Sequence, residues 1–319
     1  MNNTLTVIIL KRLAMGFFIL FGVSVLITLG LEALSGDVCS AVLGQAAEPA
    51  TVAACQAELG LNQPLHIRYA NWLTNVMQGD FGTSLANQRE VSELLGKRMG
   101  NTLYLAGTTA IFAVPLGIFL GVVAALYRNS MIDHTISTST LAAISSPEFL
   151  VGYILMAVFA VNYNWLPAIS NVEASMDFWP RLKVSALPVM TLMLVTVAHM
   201  MRMTRASIVS LLASPYIEMA KLKGLKPARI IVKHALPNAW SPIIQVVVLN
   251  LAYMIVGVVV IEVVFVYPGM GALIVDGVLL RDMPVVQGTA MVFATVYVLL
   301  FLLADILSML ANPRLRHRR

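Results

Sequence analysis

The sequence predicts an all-α integral membrane protein with six transmembrane helices, a long outer loop between the first two, and a basic insert before the fifth. Three observations predict it. Of 319 residues, 59% are hydrophobic and 12% are charged, where soluble globular domains carry about 45–50% and about 25%. The mean hydropathy of +0.83 leaves more apolar surface than one water-soluble core could hide. Finally, six stretches reach the roughly 20 mainly apolar residues that a helix needs to cross the hydrocarbon: about 13–34, 102–126, 138–162, 186–206, 243–266 and 287–310. None can be an open strand, because lipid offers exposed backbone groups no partners.

Residues 1–35 hold an N-terminal tail and the first span. Its run from Leu13 to Leu34 exceeds the roughly 7–15 apolar residues of a signal-peptide core, and no A-x-A cleavage site follows closely, so it reads as a retained span. Residues 36–101 form the long loop. Within it PLHIRYANWLTNVM (64–77) begins with proline and spaces Leu65, Tyr69, Trp72, Leu73 and Met77 along one helix face. The following GDFGTS (79–84) is turn chemistry. Cys39 and Cys55 share the loop and give no metal-site spacing. They are either bridged, on a side where disulfides persist, or two free thiols.

Residues 102–310 form the core of spans two to six, with proline and glycine inside the second span (AVPLG, 113–117) where neighbouring helices can accommodate them. YPGMGALIVDGVLLRDMP, from Tyr267, holds a short apolar helix between two turn signals, too short to span. Pro268, Gly269 and Gly271 make it a candidate outer gate. Residues 311–319 form a basic tail.

Charge chooses the orientation. With the N-terminus inside, fourteen Lys and Arg fall on inner segments and seven on outer ones, out of 21. The positive-inside bias therefore expects both termini and the insert in the cytoplasm. The net charge of +5 is a matter of topology here and gives no nucleic-acid signal.

The insert, residues 212–239, contains YIEMAKLKGLKPARIIVKHALPNA. Ser214 suits an N-cap and Pro215 a first helical position, giving a helix over 215–223. Gly224 can take the left-handed conformation that ends it. Pro227 suits the start of a second helix to about His234, which Leu236-Pro237 closes before the fifth span. A basic hairpin that only touches anionic lipid is one reading. Ala220 and Gly224, small residues four apart on one face, favour a surface that another protein's backbone approaches.

These residues resemble the membrane-spanning subunits of ATP-binding-cassette (ABC) importers, in their dipeptide/oligopeptide/nickel branch. The carriers of the resemblance are Glu218-Met219-Ala220, Gly224 and Leu236-Pro237, with Met219 in place of a middle alanine, and Leu222-Lys223-Gly224-Leu225 followed by His234-Ala235-Leu236-Pro237-Asn238-Ala239. LGLNQPLHIRYANWL (59–73), GDFGTS, SSPEF (145–149), RMTR (202–205), IEVVFVYPGMG (261–271), RDMPVVQG (281–288) and NPRLRHRR, where Asn312 stands for the usual aspartate, fit in the same order. Leu222 is bulkier than the usual alanine.

The resemblance implies the type I permease fold, a multi-pass place in the bacterial inner membrane, and a coupling helix carried by Glu218, Ala220, Lys223, Gly224, Leu225 and Pro237. It also implies partners: a second permease subunit in a heterodimer, two cytoplasmic ATPase subunits that bind ATP and Mg, and an extracytoplasmic substrate-binding protein. The chain would hold no cofactor or metal and would not be an enzyme. Consistent with that, no G-x-x-x-x-G-K-[ST] phosphate loop occurs, and GKR at 96–98 lacks its flanking residues. A peptide substrate is expected, with nickel or opine import as the alternative. An ion-coupled secondary carrier is the rival class, but such carriers show repeats between halves, and none is visible here.

A charge at the bilayer centre costs about 2.5–3.5 kcal/mol on insertion scales. Glu148, after Pro147, is expected to face a translocation path or to make a structural pair. Glu262 is a second path candidate, although its place before Tyr267-Pro268-Gly269 favours fixing that turn. His199 suits a structural role, and Asp305 a pairing with an arginine or backbone.

Overall fold

A computed structural model describes residues 2–33, 36, 38–44, 47–173 and 175–311. The basic tail beyond Ala311, with Asn312 and its arginines, lies outside the described residues. In chain order the helices are α1 (Asn2–Glu32), α2 (Val38–Leu43), α3 (Pro49–Glu58), α4 (Leu65–Met77), α5 (Val91–Leu126), α6 (Met131–Ser145) and α7 (Glu148–Met156), which continues as a π turn (Ala157–Asn162). Then come α8 (Phe178–Val184), α9 (Ala186–Leu212), α10 (Pro215–Leu222), α11 (Pro227–Ile230), a second π turn (Ile231–Ala235), α12 (Leu236–Val264), α13 (Met270–Leu279) and α14 (Met283–Ala311). Among the described residues, five helices are long and apolar enough to cross a membrane, or six when α6 and α7 count as one bent span.

The third span, expected over about 138–162, is bent. The two helices turn by 100° at Ser146-Pro147. Pro147 has no N–H for the helical ladder and forces the preceding residue into extended backbone, so Ser146 (ψ 133°) ends α6. The boundary expected at residue 102 lies inside α5. Its first eleven residues are helical because Val91 and Leu95 bury against Met270, Leu273 and Val285.

The centre of the bundle is α9, which buries most of its apolar face, while α1 leaves most of its residues exposed and α14 is for the most part only half-covered. Two glycines let α5 lie close to it. A Cβ on Gly117 would sit 2.7 Å from Met200 Cβ, and one on Gly121 would sit 2.9 Å from the Met201 carbonyl oxygen. This is the small-residue spacing by which helices approach in lipid, where apolar surface alone gives no drive to associate.

α1 runs antiparallel along α14. Arg12 pairs with Asp305 at 2.7 Å, a Cβ on Gly16 would meet Val298 at 2.7 Å, and Gln287 donates to Thr28 Oγ1 at 2.5 Å. Asp305 thus has the arginine partner expected of it.

The 36–101 segment packs on one end of this bundle, called here the loop end. Cys39 and Cys55 form a disulfide in the structure. α4 turns Trp72 inward, and Tyr69 meets Ser24 of α1 at 2.8 Å. Arg68 pairs with Glu32 at 2.9 Å. Met77 does not share the buried face. It is exposed, and the partly covered Val76 takes that place.

Candidate functional site

Three places bear on function: the insert, a cavity inside the bundle, and the closure at the loop end.

In the insert, Gly224 has φ +73°, the left-handed turn expected of it. Ala220, however, does not share an outward face with it. It is buried between α10 and α11 against Ile217, Ile230 and Ala235, with Leu225 packed alongside, so its small side chain closes the hairpin itself. The outward face carries Tyr216, Met219 and Leu222, which are 43%, 56% and 77% exposed. They are spaced three apart and form one stripe. Lys221, Lys223 and Glu218 are exposed around it.

Leu236-Pro237 does not close the second helix. Helical structure runs without a break from Pro227 to Val264. Pro237 has no N–H to give to the ladder, and the turn before it widens to the π form, with the Leu236 N–H donating to the Ile231 carbonyl. Ala235, in that turn, belongs to the hairpin core, which joins insert and span into one packed unit. Arg205 of the RMTR segment donates two bonds of 2.7 Å to Asp133, fastening α9 to the start of α6.

The cavity, of about 530 Å³, lies between α7, α9 and α12. Glu148 opens onto it from the first position of α7, and His199, Asn250 and Tyr253 line it among apolar side chains that include Leu192, Val195, Met254 and Val260. Sequence reasoning assigned His199 a structural role and did not place it beside Glu148. The two are 51 positions apart in the chain, and no periodicity joins them.

Glu262 is elsewhere. It is fully buried at the loop end of α12, and its role as a path residue is corrected by its partners. Thr102 donates to it at 2.6 Å, and the backbone N–H groups of Gly271 and Ala272 donate at 2.6 and 3.1 Å. These N–H groups belong to the first turn of α13, where an acceptor meets unpaired donors and the positive end of the helix dipole. The main-chain carbonyl of Glu262 also accepts from Tyr267 N–H at 2.7 Å.

Gly269 and Gly271 are required by this closure. A Cβ on Gly269 would fall 2.0 Å from a Glu262 oxygen, and one on Gly271 would fall 2.4 Å from Val259 Cα. Around it the Pro268 carbonyl accepts from Asn101 at 2.8 Å, the Tyr267 hydroxyl donates to the Asn101 carbonyl at 2.8 Å, and Arg181 donates to Asn101 at 3.1 Å. Burial pushes the Tyr267 phenol up to about 12, so its O–H persists further into alkaline pH than that of a free tyrosine.

A further contact went unread in the sequence. Asp282 of RDMPVVQG is buried and accepts from the Ser84 hydroxyl and from the Leu85 and Ala86 N–H groups at 3.2 Å. It ties the GDFGTS turn to the start of α14. Two motifs almost 200 residues apart are one joint.

Residues 117–317 match the family described as "Binding-protein-dependent transport system inner membrane component", and residues 5–106 match its N-terminal companion. The chain is 36% identical over 310 residues to the glutathione transport system permease protein GsiC of Salmonella choleraesuis, covering 97% of this chain and 99% of that one. It is 35% identical over 310 residues to GsiC of Escherichia coli strain K12, with the same coverage. Among solved structures, an inward-facing form of the MetNI methionine ABC transporter matches with a TM-score of 0.58 at 15% identity, over 69% of this chain and 96% of the other, and so shares the fold. The protein has the type I permease fold and belongs to the inner-membrane components of binding-protein-dependent transport systems, as the permease subunit of an ABC importer.

Proposed function

We propose that the chain forms half of the path of an importer for short peptides. It is driven through the α10–α11 hairpin by separate ATP-hydrolysing subunits and supplied by a binding protein at the loop end. The names of its glutathione-transporting relatives support the peptide class. The positive-inside count supports a cytoplasmic insert and termini. On this reading ATP and Mg are bound by the partners, this chain is not itself an enzyme, and a related second permease completes the path as a heterodimer.

The observation that carries the proposal is the continuity of hairpin and span. A partner holding the Tyr216–Met219–Leu222 stripe in an apolar groove, with acidic groups facing Lys221 and Lys223, would grip α10. The core of Ile217, Ala220, Ile230 and Ala235 then passes the motion to α12. Glu218 lies in the first turn of α10, where a carboxylate favours the helix dipole, Gly224 and Leu225 shape the turn, and Pro237 sets the π turn. The bundle cavity with Glu148 is the path, and the α13 closure, with Pro268, Gly269 and Gly271, is its outer gate.

The test is purification in mild detergent from the native host. A phosphate-loop ATPase and a second permease are expected to accompany the chain. Leu222→Glu, on the outward stripe, is expected to release the ATPase and retain the permease. If the chain emerges alone under conditions that preserve other complexes, the coupling role is wrong.

A further inference from the structure

Resting on the peptide reading above, we propose that Glu148 recognises substrate within the path, its carboxylate taking the free ammonium group of a short peptide. Among the described residues no hydrogen bond or ion pair engages Glu148, which sets it apart from other acids within the helical bundle. Asp133 is held by Arg205, Glu262 by Thr102 and two backbone N–H groups, Asp282 by Ser84, and Asp305 by Arg12. A carboxylate left unpaired on a mostly apolar wall is costly unless something else supplies its partner.

The backbone is built to present it. The 100° turn at Ser146-Pro147 brings Glu148 to the cavity at the first position of α7. On the facing helix, Gly257 leaves the room: a Cβ there would stand 2.8 Å from Glu148 Oε2. The carboxylate therefore lies against the backbone of α12 where any other residue would push it away.

Size and lining agree with a small peptide. The volume of about 530 Å³ falls in the range of roughly 300–1,000 Å³ typical of ligand sites. Its wall on α9 runs from Leu192 to Met203, roughly 16 Å at helical rise, longer than a tripeptide extended at about 3.3–3.6 Å per residue. His199 and Tyr253 offer donors along the same cavity for a peptide's carbonyl or carboxylate end. A metal cation is the weaker occupant, since no group of three or more His, Cys, Asp or Glu gathers among the described residues.

The test uses the complete importer, with its ATPases, second permease and binding protein, in proteoliposomes, reading uptake of labelled glutathione and of dialanine, each of which carries one ammonium group. Glu148→Gln is expected to lower uptake at least tenfold with assembly and basal ATP hydrolysis retained, and Glu148→Asp to recover part of it. Gly257→Ala keeps the charge and favours helix, but displaces the carboxylate, so it is expected to lower uptake as well. Uptake by Glu148→Gln at the wild-type rate overturns the assignment and leaves the peptide reading intact. Loss of the assembled complex in both Glu148 variants would place the residue at a subunit seam, and also overturns it. Wild-type importer that moves neither peptide overturns the peptide reading and this inference together.

Discussion

Thr102 and Glu262, 160 positions apart, share a hydrogen bond of 2.6 Å, and the same Thr102 oxygen accepts the Met270 N–H at 2.8 Å. One hydroxyl on α5 therefore joins the end of α12 to the start of α13. Thr102→Val keeps the shape and removes both bonds, leaving a buried N–H and a buried carboxylate oxygen short of a partner. The expected loss is about 3 kcal/mol, seen as a lower Tm in detergent. Thr102→Ser should retain most of the stability, and an unchanged Tm for the valine variant would show the joint to be incidental.

The two glycines of the proposed gate should differ in what they tolerate. A methyl at position 269 meets the end of the Glu262 side chain, while one at 271 meets the α12 backbone at Val259. Backbone cannot swing aside, so Gly271→Ala must shift α13 off α12. Uptake by the assembled importer is expected to fall sharply for Gly271→Ala. Wild-type uptake in both alanine variants would remove α13 from any gate.

Within α5, Gly121 and Gly107 make opposite predictions. A methyl on Gly121 would sit 2.7 Å from Thr204 Cβ and 2.9 Å from the Met201 carbonyl, whereas around Gly107 nothing lies within 4 Å. Gly121→Ala is expected to cost about 1–3 kcal/mol through overpacking. Gly107→Ala is expected to be neutral or stabilising by up to about 1 kcal/mol through helix propensity. Thermal unfolding of the two variants side by side decides it.

Val266 sits just before the closure with φ +52°, a conformation that β-branched residues rarely adopt, and its side chain is exposed. The neighbouring Phe265 carbonyl accepts Ser170 N–H at 2.8 Å, which helps hold the chain there. Val266→Asn loses little contact and relieves a strain of about 1–3 kcal/mol, so Tm should rise. A fall in Tm would mean that the valine makes contacts within the assembly.

Much of this architecture was legible in the sequence, and the reasons are specific. Apolar runs announced the spans because lipid demands length and composition above all. Gly224 and Pro215 marked the insert because turn and cap chemistry is local. What stayed hidden was whatever depended on distant partners. Ala220 could be read as small, but its direction is set by Ile230 and Ala235 across the hairpin. Glu262 could be placed near a turn, while the seal it makes needs Thr102 from another helix. Pro237 resembled a stop because proline usually ends a helix, and here the π turn before it lets the helix continue.

That unbroken run from Pro227 to Val264 spans roughly 55 Å at helical rise, more than the roughly 40–45 Å of a membrane with its headgroups. Its far end carries Glu262, which holds α13, and its near end carries the hairpin. If it moves as one piece, such a run would work as a lever arm. A tilt of about 5° imposed at the hairpin displaces the other end by roughly 5 Å, comparable to the one-turn steps that switch packed helices between states. Opening at one face and closing at the other would then need no relay of successive signals. They would be two ends of a single rotation.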